Sequence, residues 1–316
     1  MIINIMISII SPCFNEESVL PSFLDEIEKI IKKLDHKFEL ILVDNNSSDS
    51  TWEKMKLNEK KFKNIKLIKF SNYFGKEAAI LAGIDNCKGD AAIIIDPDLE
   101  DPPELIAEMI NKWKQGHDVV LTQRSSEDIT YTKKILKSFF YKILIFSSEK
   151  NQKIYKDSGD FRLIDKKIIN HLKNMRERTR FLRGLVSYIG YNQTIIKFDR
   201  PFRKKGESKS SYSFLYKYAS DSLFSFSNVP ISFITKCGFS LLFFLLIFTL
   251  FLIFQKLIGK PIEGFTTVLL LIGLTSSFNI IAIGLVGEYV SRIYTEVKNR
   301  PSYIISKIYD KESSSS

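Results

Sequence analysis

The chain has 316 residues and a net charge of +10, from 46 Lys and Arg against 36 Asp and Glu, with only three Cys and three His. Cys13, Cys87 and Cys237 are far apart and form no Cys-x-x-Cys, and His36, His117 and His171 make no ligand-spaced cluster. This excludes a disulfide framework and a zinc site and implies a reducing compartment. The basic balance suits nucleic acid, anionic lipid or a phosphorylated substrate.

Taken in order, residues 5–10 are a β-branched run ending at Ser11-Pro12, and 18–34 carry Leu20, Phe23, Leu24, Ile27, Ile30 and Ile31 at helical spacing. Residues 38–43 read as the next strand, broken by Asp44-Asn45-Asn46-Ser47-Ser48-Asp49, which is turn and N-cap chemistry. The alternation continues with 65–70 as strand, 76–86 as helix, 91–95 as strand, 103–115 as helix and 119–122 as strand. It predicts an α/β domain with a mostly parallel sheet covered by helices on both faces, its ligands bound outside the carboxyl ends of the strands.

Beyond Thr122 the pattern changes. Residues 132–146 place Ile135, Leu136, Phe139, Phe140, Ile143 and Leu144 on one helical face, an amphipathic helix that lies in lipid headgroups or docks on the first domain. A second interfacial helix is expected over 211–229. Two almost unbroken apolar runs follow, 237–254 and 265–287, each long enough to cross a hydrocarbon core of ~30 Å. They argue against a nucleic-acid partner. In the second run Gly273, Ser277, Gly284 and Gly287 predict close helix packing, with Asn279 as a polar contact between helices. Residues 1–10 lack the basic start of a cleavable signal peptide. Lys and Arg flank the two runs on their outer sides, whereas the connection holds only Lys256 and Lys260, which predicts both termini in the cytoplasm. The expected organisation is a catalytic domain over 1–210, an interfacial helix over 211–229, membrane helices over 230–258 and 265–290, and a cytoplasmic tail over 291–316.

The strongest chemical signal is Ile93-Ile94-Ile95-Asp96-Pro97-Asp98-Leu99-Glu100. A buried strand runs into two carboxylates at i and i+2, which in extended backbone project to the same side. Together they form a hard oxygen site suited to Mg²⁺ or Mn²⁺ shared with a diphosphate. Asp101, before Pro102-Pro103, is expected to cap the following helix.

At these residues the chain resembles glycosyltransferase family 2, and within it the polyprenyl-phosphate branch of dolichol-phosphate mannose synthases and bactoprenol glucosyltransferases. The resemblance rests on Ser11-Pro12-Cys13-Phe14-Asn15-Glu16-Glu17, Val43-Asp44-Asn45-Asn46-Ser47-Ser48-Asp49, Asn72-Tyr73-Phe74-Gly75-Lys76-Glu77-Ala78 and Asp96-Pro97-Asp98. It continues through Gly159-Asp160-Phe161-Arg162-Leu163, Arg180-Phe181-Leu182-Arg183-Gly184, Gly206-Glu207-Ser208-Lys209 and Gly287-Glu288-Tyr289. Two departures stand out: Asn45 and Asn46 replace the usual Asp-Gly of the second turn, and Glu100 stands where Gln is common. Asn still accepts a hydrogen bond and tolerates a left-handed backbone.

The resemblance implies a GT-A-type domain in which Pro12, Phe14, Glu16, Asp44, Asn45 and Lys76 bind the nucleotide sugar. Asp96 and Asp98 hold the metal, and Glu100 joins them or is simply solvated. Arg124 faces a phosphate or is a surface cation. Asp98, Asp157 and Asp160 are the expected catalytic carboxylates, although a phosphate-monoester acceptor, with a second pKa near ~6, needs no strong base. Arg180, Arg183, Arg203, Lys205 and Lys209 are candidates to bring the lipid phosphate and the diphosphate together. The expected reaction is inverting transfer of a hexose, UDP-glucose ahead of UDP-N-acetylhexosamine or GDP-mannose, to undecaprenyl or another polyprenyl phosphate. The expected partners are nucleotide sugar, polyprenyl phosphate, the bilayer and further copies of the chain. A processive polysaccharide synthase is disfavoured, because neither Trp52 nor Trp113 sits in the Gln-x-x-Arg-Trp motif of those enzymes. The rival from another class is a non-catalytic membrane scaffold or lipid translocator.

Overall fold

A computed structural model describes residues 5–124, 158–175, 177, 182–199, 229–258 and 264–311. The predicted helix over 132–146 and, apart from Val229, the predicted interfacial helix over 211–229 lie outside the described residues. The described residues fall into two compact units. One holds those up to Arg124, those between 158 and 199, and those from Arg300 on; the other holds the long helices before Arg300.

The first unit is built on an eight-stranded sheet in the order β7-β5-β6-β4-β1-β2-β3-β8. Its strands are β1 (Met6–Cys13), β2 (Lys37–Asp44), β3 (Ile65–Phe70), β4 (Ala91–Ile94), β5 (Val119–Arg124), β6 (Ser158–Asp165), β7 (Gln193–Phe198) and β8 (Ile305–Asp310). Its helices are α1 (Leu20–Lys33), α2 (Thr51–Asn58), α3 (Lys76–Asn86), α4 (Leu105–Lys114), α5 (Lys166–Asn174) and α6 (Leu182–Ile189). The predicted βα alternation through Thr122 holds, with β3 and α3 at the expected bounds. Strands β1 to β4 are buried along nearly their whole length, as strands covered on both faces require.

The parallel pairs β2–β1 and β1–β4 bring the strand ends level, Cys13 opposite Asp44 and Ile10 opposite Ile94. On α1, Leu20, Phe23, Leu24, Ile27 and Ile30 are buried, one stripe at helical spacing. On the other face α3 comes so close to β1 that a Cβ on Gly83 would stand 2.2 Å from Ile10 Cγ2. Only glycine permits that approach. It seats α3 with its first residue, Lys76, at the carboxyl edge of the sheet.

Two features depart from the simple parallel reading. First, β6 enters between β4 and β5, antiparallel to both, so the sheet is mixed. Its register pairs Ile94 with Arg162. Two residues past that pair lie Asp96 and Asp160, which share the Lys76 ammonium.

Second, the segment read as a tail is not one. The chain beyond the second long helix returns as β8, antiparallel to β3 at the sheet edge. Tyr303 stacks on Phe70, with ring centroids 5.2 Å apart and planes 13° apart, and donates its hydroxyl to Asp85 Oδ2 at 2.7 Å. Strand β8 alternates Ile, Ser, Lys, Ile, Tyr and Asp, too polar a pattern to reveal an edge strand by itself.

The second unit holds α7 (Val229–Leu257) and α8 (Phe265–Val297). Within them Phe233–Gln255, of mean hydropathy 2.7, and Leu271–Val297, of mean hydropathy 1.5, are long and apolar enough to cross a membrane, and neither is buried. Helix α8 extends past the expected end at 290. Among the described residues the expected packing role of the α8 glycines is not met: a Cβ at Gly273, Gly284 or Gly287 would meet nothing within 4 Å. At Gly238 of α7 a Cβ would lie in ordinary van der Waals contact with Phe278, 3.6 Å away. Two helices cover only one face of each other, and the small residues of α8 lie off that face.

Candidate active site

The site forms where β1, β2 and β4 end and the antiparallel β6 begins. The turns after β1 and β2 are laced together: Asn15 N–H donates to Ser47 Oγ at 3.0 Å, Asn15 Oδ1 accepts from Ser48 N–H at 2.9 Å, and Glu16 N–H donates to Thr51 Oγ1 at 2.9 Å. Asn46 is left-handed, with φ of 59°, as the Asn-for-Gly reading anticipates, and so is Asn15, with φ of 55°.

Asp44 is fully buried. Its Oδ1 accepts from Ser47 N–H at 3.0 Å, while Oδ2 has no hydrogen-bond partner among the described residues; Lys69 Nζ stands 3.7 Å away. An unmatched buried carboxylate oxygen at a ligand-binding edge calls for a donor beyond the described residues. Asn45, also buried, uses its Oδ1 on the backbone N–H of Phe74 at 2.9 Å. It thereby fixes the turn that carries Tyr73. The rings of Phe14 and Tyr73, 38% and 55% exposed, meet at a centroid distance of 4.7 Å and an angle of 56°. Pro12 is buried in β1 opposite Val43.

Beside this lies an ionic cluster. Lys76 Nζ bridges Asp96 Oδ2 at 2.6 Å and Asp160 Oδ2 at 2.7 Å. Arg183 Nε donates to Asp160 Oδ1 at 2.9 Å, and Arg162 Nη2 lies 3.6 Å from the same oxygen. Arg162 is almost fully buried and also donates to the carbonyls of Gly159 at 2.8 Å and Asp160 at 3.2 Å. Burial opposes the charge on Asp160, but Lys76, Arg183 and Arg162 hold its carboxyl well below the usual carboxylate range. Asp96 is pushed up by burial, against the pull of Lys76 and with the repulsion of Asp160 and Asp98 added. Burial likewise works against the Lys76 ammonium, yet Asp96 and Asp160 raise it above its ordinary range. Glu77, next to Lys76, is pushed up to about 7, by burial first and then by Asp160, against Arg162, Arg183 and Lys76. Burial also pushes up the Cys13 thiol, with Asp44, Glu16 and Asp96 adding to the effect, so these acids converge on the end of β1.

After the acidic motif, Asp98 Oδ1 accepts from Glu100 N–H at 3.0 Å around Leu99, whose φ of 57° is a strained value for leucine. The side chain of Leu99 packs on the core, which holds the turn. Among the described residues no three His, Cys, Asp or Glu side chains gather as a metal cluster, so Asp96, Asp98 and Glu100 do not form the expected three-acid set by themselves.

Of the other expected residues, Arg124 ends β5, and its side chain is outside the description, as are Asp157, Arg180, Arg203, Lys205 and Lys209. Sequence reasoning gave no role to Tyr73, Glu77 or Arg162. For Arg162 the signal was present: a lone cation in an apolar strand, Phe161-Arg162-Leu163-Ile164, must find a buried partner.

The mixed sheet with its acidic motif at the carboxyl edge is the nucleotide-sugar domain of a GT-A-type glycosyltransferase. The family described as Glycosyl transferase family 2 matches residues 8–173, more than half of the chain. "Uncharacterized glycosyltransferase sll0501" of Synechocystis is 37% identical over 98% of this chain and 97% of its own. The SfII prophage-derived bactoprenol glucosyl transferase of Shigella flexneri is 33% identical over 95% of this chain and 97% of its own. Among solved structures, mannosyl-3-phosphoglycerate synthase from Rubrobacter xylanophilus matches with a TM-score of 0.47 at 14% identity, over 74% of this chain and 75% of that one. The chain belongs to glycosyltransferase family 2.

Proposed function

We propose that the protein transfers a hexose, glucose from UDP-glucose, to a polyprenyl phosphate such as undecaprenyl phosphate, with inversion at the anomeric carbon. One observation carries this reading. The similarity to a bactoprenol glucosyl transferase covers 95% of the chain, so it takes in both long apolar helices as well as the family domain. The helices cross the cytoplasmic membrane, and the Lys and Arg that flank them set the catalytic domain and both termini on the cytoplasmic side.

The nucleoside lies against Phe14 and Tyr73, and its base donates an N–H to the orphaned Oδ2 of Asp44. Asp96 and Asp98 hold a divalent cation together with the diphosphate. Two carboxylates completed by phosphate oxygens suit Mg²⁺ or Mn²⁺, and the convergence of Asp96 and Asp160 on the Lys76 ammonium supports a cation at this edge. When bound, the metal neutralises the departing diphosphate.

Asp160 is a positioning residue in this scheme and not the base. A carboxylate kept ionised by three cations has little affinity for a proton, and a phosphate acceptor near neutral pH is already largely dianionic. Arg183, with Arg180, Arg203, Lys205 and Lys209, holds that acceptor. Incubating the purified protein with undecaprenyl phosphate and labelled UDP-glucose, UDP-N-acetylglucosamine or GDP-mannose tests the proposal. Label should enter lipid from UDP-glucose; no lipid product from any donor would refute it.

A further inference from the structure

Lys76 occupies an unusual position. Its ammonium sits between two carboxylates that belong to different strand ends, 2.6 Å from Asp96 and 2.7 Å from Asp160. Their demands on it differ. Asp160 has Arg183 and Arg162 as well, at 2.9 and 3.6 Å. For Asp96 the hydrogen-bonded cation among the described residues is Lys76, and Asp98 two residues on adds like charge. The lysine is thus the cation that directly faces the half-buried Asp96 carboxylate.

We propose that Lys76 is a resident counter-ion that competes with the divalent cation for Asp96 and yields the carboxylate only when a nucleotide diphosphate offers the ammonium another anion. The inference rests on the metal reading given above and deepens it. Lys76 stands on the first turn of α3, preceded by Gly75 at φ 92°, and 43% of its side chain is exposed. A four-carbon stem on that turn swings its ammonium from one anion to a neighbouring one without moving the helix. Bringing a divalent cation to Asp96 while the ammonium remains places like charges side by side. Once the diphosphate takes up the ammonium, metal and lysine both have anionic partners. Metal and nucleotide therefore bind as a pair, and the site does not load with metal alone.

By linkage, whatever factor UDP adds to metal affinity, metal adds to UDP affinity. Part of that factor belongs to direct metal–diphosphate contact and part to the displacement of Lys76. Only the second part disappears when the charge at position 76 is removed.

The test measures Mn²⁺ binding to the full-length protein in neutral detergent by electron paramagnetic resonance, with and without UDP, for the parent, Lys76→Met and Lys76→Arg. The parent should bind Mn²⁺ weakly alone and more tightly with UDP. Lys76→Met should bind Mn²⁺ alone at least about fivefold more tightly than the parent, near the lower end of usual coupling factors, and gain less from UDP. Lys76→Arg, which keeps the charge, should behave like the parent. If Lys76→Met does not fold, as judged by its thermal transition, Lys76→Gln takes its place. Mn²⁺ binding alone no tighter in the uncharged variant than in the parent overturns the competition and leaves the metal reading standing. A parent that binds no Mn²⁺ even with UDP overturns the metal reading, and this inference with it.

Discussion

Asn45 Oδ1 accepts the backbone N–H of Phe74 at 2.9 Å, so the turn after β2 holds the turn after β3. Through that bond a fully enclosed side chain sets the position of Tyr73, which meets Phe14 at the mouth of the site. Asn45→Ala leaves the part-buried Phe74 N–H without this acceptor and loosens the turn that carries Tyr73, so UDP binding should weaken roughly tenfold, about 1.4 kcal/mol. Asn45→Asp keeps the acceptor and should bind UDP much as the parent does. Calorimetric titration with UDP checks both, and parent-like affinity in the alanine variant would show that the turn needs no such support.

Asp98 follows Asp96 at the end of the central strand, and its contribution is electrostatic. Asp98→Asn should keep the circular dichroism spectrum of the parent and lower transfer at least ~10²-fold, the scale of losing one main contact to developing charge. Full activity in EDTA, or near-normal turnover of the variant, would remove the metal from the mechanism.

Glu77 predicts a pH effect on stability. Its carboxyl is held at about 7 in the folded protein against an ordinary value of 4.5. Between these values the folded state binds the proton that the unfolded state has released, so its contribution falls as pH rises and is fully lost above about 7. Glu77→Gln should therefore raise the melting temperature at pH 8, by the equivalent of about 3 kcal/mol at one pKa unit per about 1.4 kcal/mol. Below pH 4.5 the two proteins should converge. A constant difference between them from pH 4 to pH 8 would mean that Glu77 does not titrate in this window.

Strand β8 predicts that the catalytic unit depends on the chain beyond the second apolar helix. Tyr303→Ala loses a ring stack and a hydrogen bond to Asp85, together worth about 2 kcal/mol. A chain ended at residue 228 loses the whole strand and should melt lower than one in which a flexible linker joins residue 228 to residue 300. Equal melting temperatures for the two shortened chains would show that β8 adds nothing to the sheet.

The basic residues ahead of α7 separate phosphate binding from adhesion to the membrane. Arg203→Ala and Lys209→Ala should each weaken transfer to undecaprenyl phosphate by about 1.5–3 kcal/mol, the range for hydrogen bonds to charged groups. The loss should persist in neutral detergent. A loss seen only in anionic bilayers would assign these residues to the lipid surface, where each basic group is worth roughly 1 kcal/mol.

The sequence by itself determined what depends on neighbours in the chain. Alternating strand and helix through Thr122, the left-handed Asn46, the pairing of Asp96 with Asp98 and the two apolar helices are all written in spacing and side-chain chemistry within a few residues. The tertiary structure decided what depends on pairing across long loops. Strand β6 reaches β4 from more than sixty residues away and so brings Asp160 to the same ammonium as Asp96. Strand β8 returns to β3 from the far side of both long helices. Neither has a strong pattern of its own, because an edge strand is half polar and an inserted one shares its burial with its neighbours. The joining of Lys76 to both Asp96 and Asp160 follows from those pairings. Charge attraction sets which groups stay together, but only the sheet's register brings them within reach.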